Sequence, residues 1–244
     1  MNISGKVAVV TGSAKRVGKS ILLALAKRGA HVVINYRTSR EEAEKTRLEA
    51  QACGVEAFII QADISTVKGA HKLISGTLKI FKNVDILVNS ASIYDKTPFG
   101  KISEGDWDSH MNTNLKAAFF LSQEAGIHMR RQKRGKIVNI IDSDVRQPYN
   151  DYLPYFVSKS GMVGLTYCLA KELAPHIQVN AISPGPVFLQ PQWGASVRRA
   201  ILKQTPLQRI GSPEDIANAV LFCIEGTDFM TGAVIPVDGG QHIE

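Results

Sequence analysis

The sequence predicts an α/β fold: one doubly wound domain, residues 1–244, whose seven-stranded parallel sheet carries helices on both faces. Three observations predict it. Seven short, β-rich apolar runs recur along the chain, stretches of helical periodicity separate them, and no linker, repeat or low-complexity tract interrupts the alternation.

The elements follow in order. Val7–Val10 is the first strand and Lys19–Lys27 the first helix, which Gly29 should stop. His31–Asn35, helix Glu41–Ala52 with Gly54 behind it, and Ala57–Gln61 continue the pattern. Asp85–Asn89, Lys136–Ile141, Gln178–Ile182 and Ala233–Val237 complete the sheet, with helix Gly161–Leu173 between the fifth and sixth strands. Ser212-Pro213-Glu214-Asp215 starts a further helix: a capping serine, proline at the first position, and acids facing the positive end of the dipole.

Bulk properties narrow the function classes. Hydrophobic content of 44% and charged content of 21% suit a globular chain with a full core. Apolar runs are too short to span a bilayer, and no signal peptide is visible. Three scattered cysteines fit free thiols in the cytoplasm, and the six histidines lack metal-ligand spacing, so no metal is expected. The net charge of +7 and the run Arg130, Arg131, Lys133, Arg134, Lys136 raise a nucleic-acid reading. Without interleaved aromatics, that run reads as a solvated helix end, and the expected partner is a small molecule.

The first strand runs into Thr11-Gly12-Ser13-Ala14-Lys15-Arg16-Val17-Gly18-Lys19 and then a helix. A glycine turn at that point lets the backbone approach a pyrophosphate, and the helix N-terminus stabilises its charge. A site for NAD places an acid at the end of the second strand; here Asn35-Tyr36-Arg37-Thr38-Ser39-Arg40 has none. A guanidinium and hydroxyls suit a 2′-phosphate, so NADP(H) is the expected cofactor. Tyr155 and Lys159, four residues apart, share a helix face, where a lysine favours the phenolate.

These features, with Ala62-Asp63-Ile64, Asn89-Ser90-Ala91, Asn114, Ser183-Pro184-Gly185 and Val237-Asp238-Gly239-Gly240 in order, resemble the short-chain dehydrogenase/reductase family along the whole chain. The resemblance implies a Rossmann fold and a homotetramer. It makes Tyr155 the general acid/base, with Lys159 binding the nicotinamide ribose and lowering the tyrosine's pKa. Asn114 would anchor a proton-relay water, and Asp63 would contact the adenine. The cofactor would lie along Gly12, Lys15, Arg16, Val17, Tyr36, Arg37, Thr38, Ser39, Asp63, Ile64, Asn89, Ser90, Ala91 and Ser92, then Tyr155, Lys159, Pro184, Gly185 and Val187.

Three departures from that pattern resemble the pteridine reductases: Arg16 in the turn, Ser92 after Ala91, and Asp142 where a serine usually lies thirteen residues before the tyrosine. That resemblance implies a substrate site of Arg16, Ser92, Tyr94, Asp142 and Tyr152, with Tyr94 stacking on a pterin. Hydride would then go to a C=N bond. Alternatives stay open at this point. Ser143 instead of Asp142 would replace the usual serine, Arg16 would serve only phosphates, and Tyr94 would be a surface aromatic. The enzyme would then reduce a ketone such as a 3-oxoacyl thioester, or the chain would be a non-catalytic NADP(H) sensor. A substrate loop over 186–204, with Phe188 and Trp193 as an apolar lid, should close the site.

Overall fold

The protein is described by a computed structural model covering residues 1–187 and 194–243. Among these residues seven strands form one parallel sheet in the order β3-β2-β1-β4-β5-β6-β7. The strands are β1 (Val7–Val10), β2 (His31–Tyr36), β3 (Ala57–Gln61), β4 (Ile86–Asn89), β5 (Gly135–Ile140), β6 (Ile177–Pro184) and β7 (Val234–Val237). Every strand matches an expected run to within a few residues. The order reverses between β1 and β4, which opens a crevice beyond the strands' carboxyl ends.

Two apolar clusters flank the sheet. Ile21, Leu22 and Leu25 of α1 (Arg16–Lys27) pack with Ala8, Val10 and Ile34 on one face, joined by Ile216 and Val220 of α8 (Pro213–Leu221). On the other face Val9, Leu87 and Ile137 meet Leu73 of α3 (Val67–Phe81), Leu121 of α5 (Ala117–Gln132) and Leu169 of α6 (Leu153–Leu173). Alternate β1 residues thus serve opposite cores, as the period of two requires, and strands buried on both faces read as unbroken apolar runs.

Helix ends follow the expected chemistry. Gly29 (φ +86°) and Gly54 (φ +83°) take the left-handed conformation just past α1 and α2 (Arg40–Gln51), and Ser212 and Asp215 form a reciprocal capping box. α6 begins two turns before Gly161, with Pro154 in its first turn, where a missing N–H costs nothing. Part of the expected substrate loop is helical: α7 spans Ala195–Gln204, while α4 (Glu104–His110) lies earlier in the chain, before α5. Phe188 and Trp193 lie outside the described residues.

Candidate functional site

A cavity of about 990 Å³ opens along the carboxyl ends of the strands. At one end the turn after β1 is held by side chains that serve the backbone. Thr11 Oγ1 accepts from Ser90 N and Ala91 N (both 2.9 Å), tying the turn to the end of β4. Asn35 Oδ1 accepts from Gly12 N (3.3 Å), and its amide donates to Ala62 O (3.2 Å). Thr11 braces the turn from its own first position and Asn35 from the neighbouring β2, and neither role is evident from the sequence.

This end meets the demands of a dinucleotide. A Cβ on Gly12 would lie 3.0 Å from Ala91 Cα, and one on Gly18 would lie 2.7 Å from Gly12 O, so the turn is closed to side chains. Lys15, Arg16, Val17, Tyr36, Arg37, Thr38, Ser39, Asp63 and Ile64 line the cavity around it, as do Ser90, Ala91, Ser92, Pro184, Gly185 and Val187. No carboxylate stands beside Arg37 in β2's exit. Arg16 lines the cavity with φ +56°, a conformation that glycine adopts freely and arginine at a cost of roughly 1–2 kcal/mol.

Two expected residues sit elsewhere. Asn89 does not face the cavity: it is buried, and its amide donates to Asn139 Oδ1 (2.9 Å) and Ser122 Oγ (3.2 Å), bridging β4 to β5 and α5. The pleat points it toward the helix layer. Asn114 lies in a π-helical turn (Met111–Lys116) before α5 and does not line the cavity either. Its Oδ1 accepts from Ile93 N (2.9 Å), and its amide donates to Ile93 O (3.1 Å) and Ser158 Oγ (3.0 Å). The side chain therefore fixes the segment after β4 against α6.

At the other end α6 brings Tyr155 and Lys159 onto one buried face, with the ammonium 5.8 Å from the phenol ring centre. The Tyr155 hydroxyl donates to Asp142 Oδ2 at 2.5 Å. Asp142 Oδ1 accepts from Asp144 N (2.9 Å), capping a 3₁₀ turn over Ser143–Arg146, and Ser183 Oγ donates to Asp142 O (2.8 Å). Ser143 lines the cavity, but its hydroxyl donates to Asp144 Oδ1 (3.2 Å). Asp142, not Ser143, meets the tyrosine.

The electrostatics differ from the expected lysine-driven phenolate. Lys159 Nζ donates to Ile140 O (2.9 Å), and burial brings its pKa down to about 8. Burial first, and then the Asp142 charge and hydrogen bond, push the Tyr155 hydroxyl well above its ordinary value. Burial also raises the Asp142 carboxyl, against the Tyr155 hydrogen bond, the Asp144 N–H and the Lys159 charge. With a carboxylate as its nearest polar neighbour, the phenol keeps its proton.

Tyr94 belongs to this wall and is no stray surface aromatic. Its ring stacks on Tyr152 (4.4 Å, 11°), meets Tyr155 edge-on (4.8 Å, 82°), and its hydroxyl shares a 2.5 Å hydrogen bond with that of Tyr149. Tyr152 thus occupies one face of the expected stacking platform. Thr97 N donates to Asp151 O (2.6 Å) beside a parallel bridge between Thr97 and Tyr152, which clips the Tyr94 segment to the Tyr152 segment. Tyr149, Asp144 and Gln241 also line the cavity and are not expected from sequence. Among the described residues no group of three histidine, cysteine or acidic side chains is arranged to hold a metal.

A family model described as Enoyl-(Acyl carrier protein) reductase matches residues 12–242. The chain belongs to the short-chain dehydrogenase/reductase family. It is an oxidoreductase of that type. The 3-oxoacyl-[acyl-carrier-protein] reductase of Staphylococcus epidermidis is 36% identical over 242 residues, covering 98% of this chain and 99% of that protein. The (2S)-[(R)-hydroxy(phenyl)methyl]succinyl-CoA dehydrogenase subunit of Thauera aromatica is 36% identical over 248 residues, covering 100% and 99%. A crystal structure described as a short-chain alcohol dehydrogenase from Sinorhizobium meliloti superposes with a TM-score of 0.94 at 35% identity, covering 99% and 98%.

Proposed function

We propose that this enzyme is an NADP(H)-dependent reductase that delivers hydride to a C=N bond of a dihydropterin or related heterocycle. The observation that carries the reading is the 2.5 Å contact between Asp142 and the Tyr155 hydroxyl. A ketone needs only a neutral donor at its oxygen. Reduction of a C=N bond needs a proton at nitrogen as hydride reaches the adjacent carbon, and a carboxyl group suits both binding and protonating such a ring.

The bound cofactor would supply the hydride, and the rest falls to the chain. Gly12, Lys15 and Arg37 would hold the phosphates, with Arg37 and Ser39 favouring the 2′-phosphate. Lys159 would hold the nicotinamide ribose. Tyr155 and Asp142 share one proton, and protonation of Asp142 frees the tyrosine hydroxyl to donate toward substrate nitrogen. Tyr94 and Tyr152 would flank the flat ring, displacing or extending their present stack. A homotetramer in the cytoplasm completes the proposal. Exposed Phe119 and Ile127 on α5 and Tyr167 on α6 give it apolar surface to bury, and no helix among the described residues is long and apolar enough to cross a membrane.

A second reading has its own support. The relatives above are named for acyl-carrier-protein and CoA substrates, which favours reduction of a 3-oxoacyl thioester ketone over reduction of a pterin. NADPH oxidation with dihydrobiopterin, dihydrofolate and acetoacetyl thioester, in wild type and Asp142→Ala, separates the two. Pterin turnover lost in Asp142→Ala is the expected result. Thioester turnover that survives the substitution, without pterin turnover, would assign the ketone reaction.

A further inference from the structure

The mechanism above uses Asp142 but leaves unused a second carboxyl group in the same wall. Asp144 lines the cavity two residues further along the 3₁₀ turn. Its backbone N–H is the donor that fixes Asp142 Oδ1 (2.9 Å), which ties the Asp144 main chain to the Asp142 carboxyl group. Its own Oδ1 accepts from Ser143 Oγ (3.2 Å), and it forms no ion pair among the described residues.

The groups around it supply little compensation. Arg146 lies on the same turn but is exposed. From α6 come Tyr155 and Lys159, with Tyr152 just before its first residue, and Lys159 is turned to Ile140 O. Tyr149 and Tyr94 bond to each other. From the C-terminal segment Asp238 adds a further negative charge, itself held by His242 Nδ1 (2.9 Å) and Gly240 N (2.9 Å). Two carboxylates in one half-buried wall repel, and repulsion between them is mutual.

We propose that Asp144 is a positioning residue for proton delivery: its charge governs whether Asp142 meets the substrate as a proton donor or as an acceptor. The inference rests on the role given to Asp142 in the proposed function. When Asp144 is ionised, Asp142 holds a proton more readily, and a protonated Asp142 no longer draws the Tyr155 hydrogen away from substrate. Burial and then the Asp142 charge bring Asp144 itself up to about 6, and burial raises Asp142 as well. Substrates that need a proton at nitrogen depend on that shared proton; a ketone polarised by Tyr155 alone does not.

The test compares wild type, Asp144→Asn and Asp144→Glu. The pH profile of kcat/KM should fall as the pair loses its proton, and Asp144→Asn should move that limb down by about one pH unit. The loss at about pH 7.5 should then exceed the loss at about pH 5.5 roughly tenfold, since one unit is a factor of ten. Asp144→Glu should return the limb toward wild type, while any limb near 8 from Lys159 stays in place. Equal losses at both pH values, a superimposable profile, or a glutamate variant that behaves like asparagine would overturn the proposal. Carbon-13 titration of the aspartate carboxyl groups in the cofactor-free protein reads the same coupling without turnover. Asp142's midpoint should drop in Asp144→Asn, and an unmoved midpoint refutes the coupling. If neither pterin nor thioester is reduced, the assigned reaction falls and this titration still decides the role of Asp144.

Discussion

The two ends of the cavity are built in different ways. The end at Gly12–Gly18 is made by backbone: a turn closed to side chains, braced by Thr11 just past β1 and by Asn35 in β2, with positive side chains around its rim. The end at Asp142–Tyr155 is made by side chains from four separate segments, several of them buried ionisable or phenolic groups in contact with one another. The first kind of construction tolerates many substrates because it addresses only a common ligand. The second commits the protein to one chemistry and places the cost of burying charge where the chemistry happens.

The largest effect should come from breaking the side-chain end. Tyr155→Phe removes the hydroxyl bound to the Asp142 carboxyl group and should lower kcat on the order of a thousandfold with cofactor affinity little changed, as steady-state turnover and NADPH titration would show. A smaller, opposite split is expected at the backbone end. Arg37→Ala should weaken NADPH by about ten- to a hundredfold in KM and leave NADH unaffected, because only the 2′-phosphate loses its charge-assisted bonds. Equal losses with both cofactors would show that Arg37 does not read that phosphate.

Asp142→Asn sharpens the contrast by separating activity from stability. The folded carboxyl is raised above its unfolded value, so its contribution to stability is complete below about pH 4 and is lost as pH rises through the raised value. At neutral pH the buried charge is therefore a burden. The asparagine variant should reduce C=N substrates tenfold or more slowly and yet be more stable by about 1 kcal/mol in urea unfolding at pH 7.5. A loss of stability would mean that the carboxylate is held favourably.

The smallest effect belongs to a pair at neither end. Arg209 bonds Asp215 through both guanidinium nitrogens (2.8 and 3.0 Å), chiefly lowering the Asp215 carboxyl to about 2. A depressed acid contributes above its unfolded value near 4 and loses that contribution as pH falls toward 2. The arginine is largely exposed, so Arg209→Ala should cost little stability at pH 7 and progressively less as pH falls through about 2, as urea unfolding along that range would show.

The same division explains what the sequence disclosed. The strands, the glycine turn, the Ser212 cap and the pairing of Tyr155 with Lys159 are local patterns, and each is found where spacing places it. Asp142 was visible because it departs from a pattern. Asp144, Tyr149 and Asn35 were not, since their roles arise only when distant segments meet. Asn89 shows the converse: a residue in a familiar run whose side chain, by the pleat, faces α5. Lys159 shows a different limit, because spacing gives proximity but not the carboxylate that outweighs it at the tyrosine.

The clip between Thr97 and Tyr152 has a practical meaning for anyone recasting this pocket. Two loops far apart in the chain share main-chain bonds, one of them at 2.6 Å, so a change of length in either drags the other and the tyrosines both carry. Grafting a new specificity onto this scaffold, or tracing how one arose by descent, has to treat segments 93–97 and 147–152 as a single exchangeable cassette.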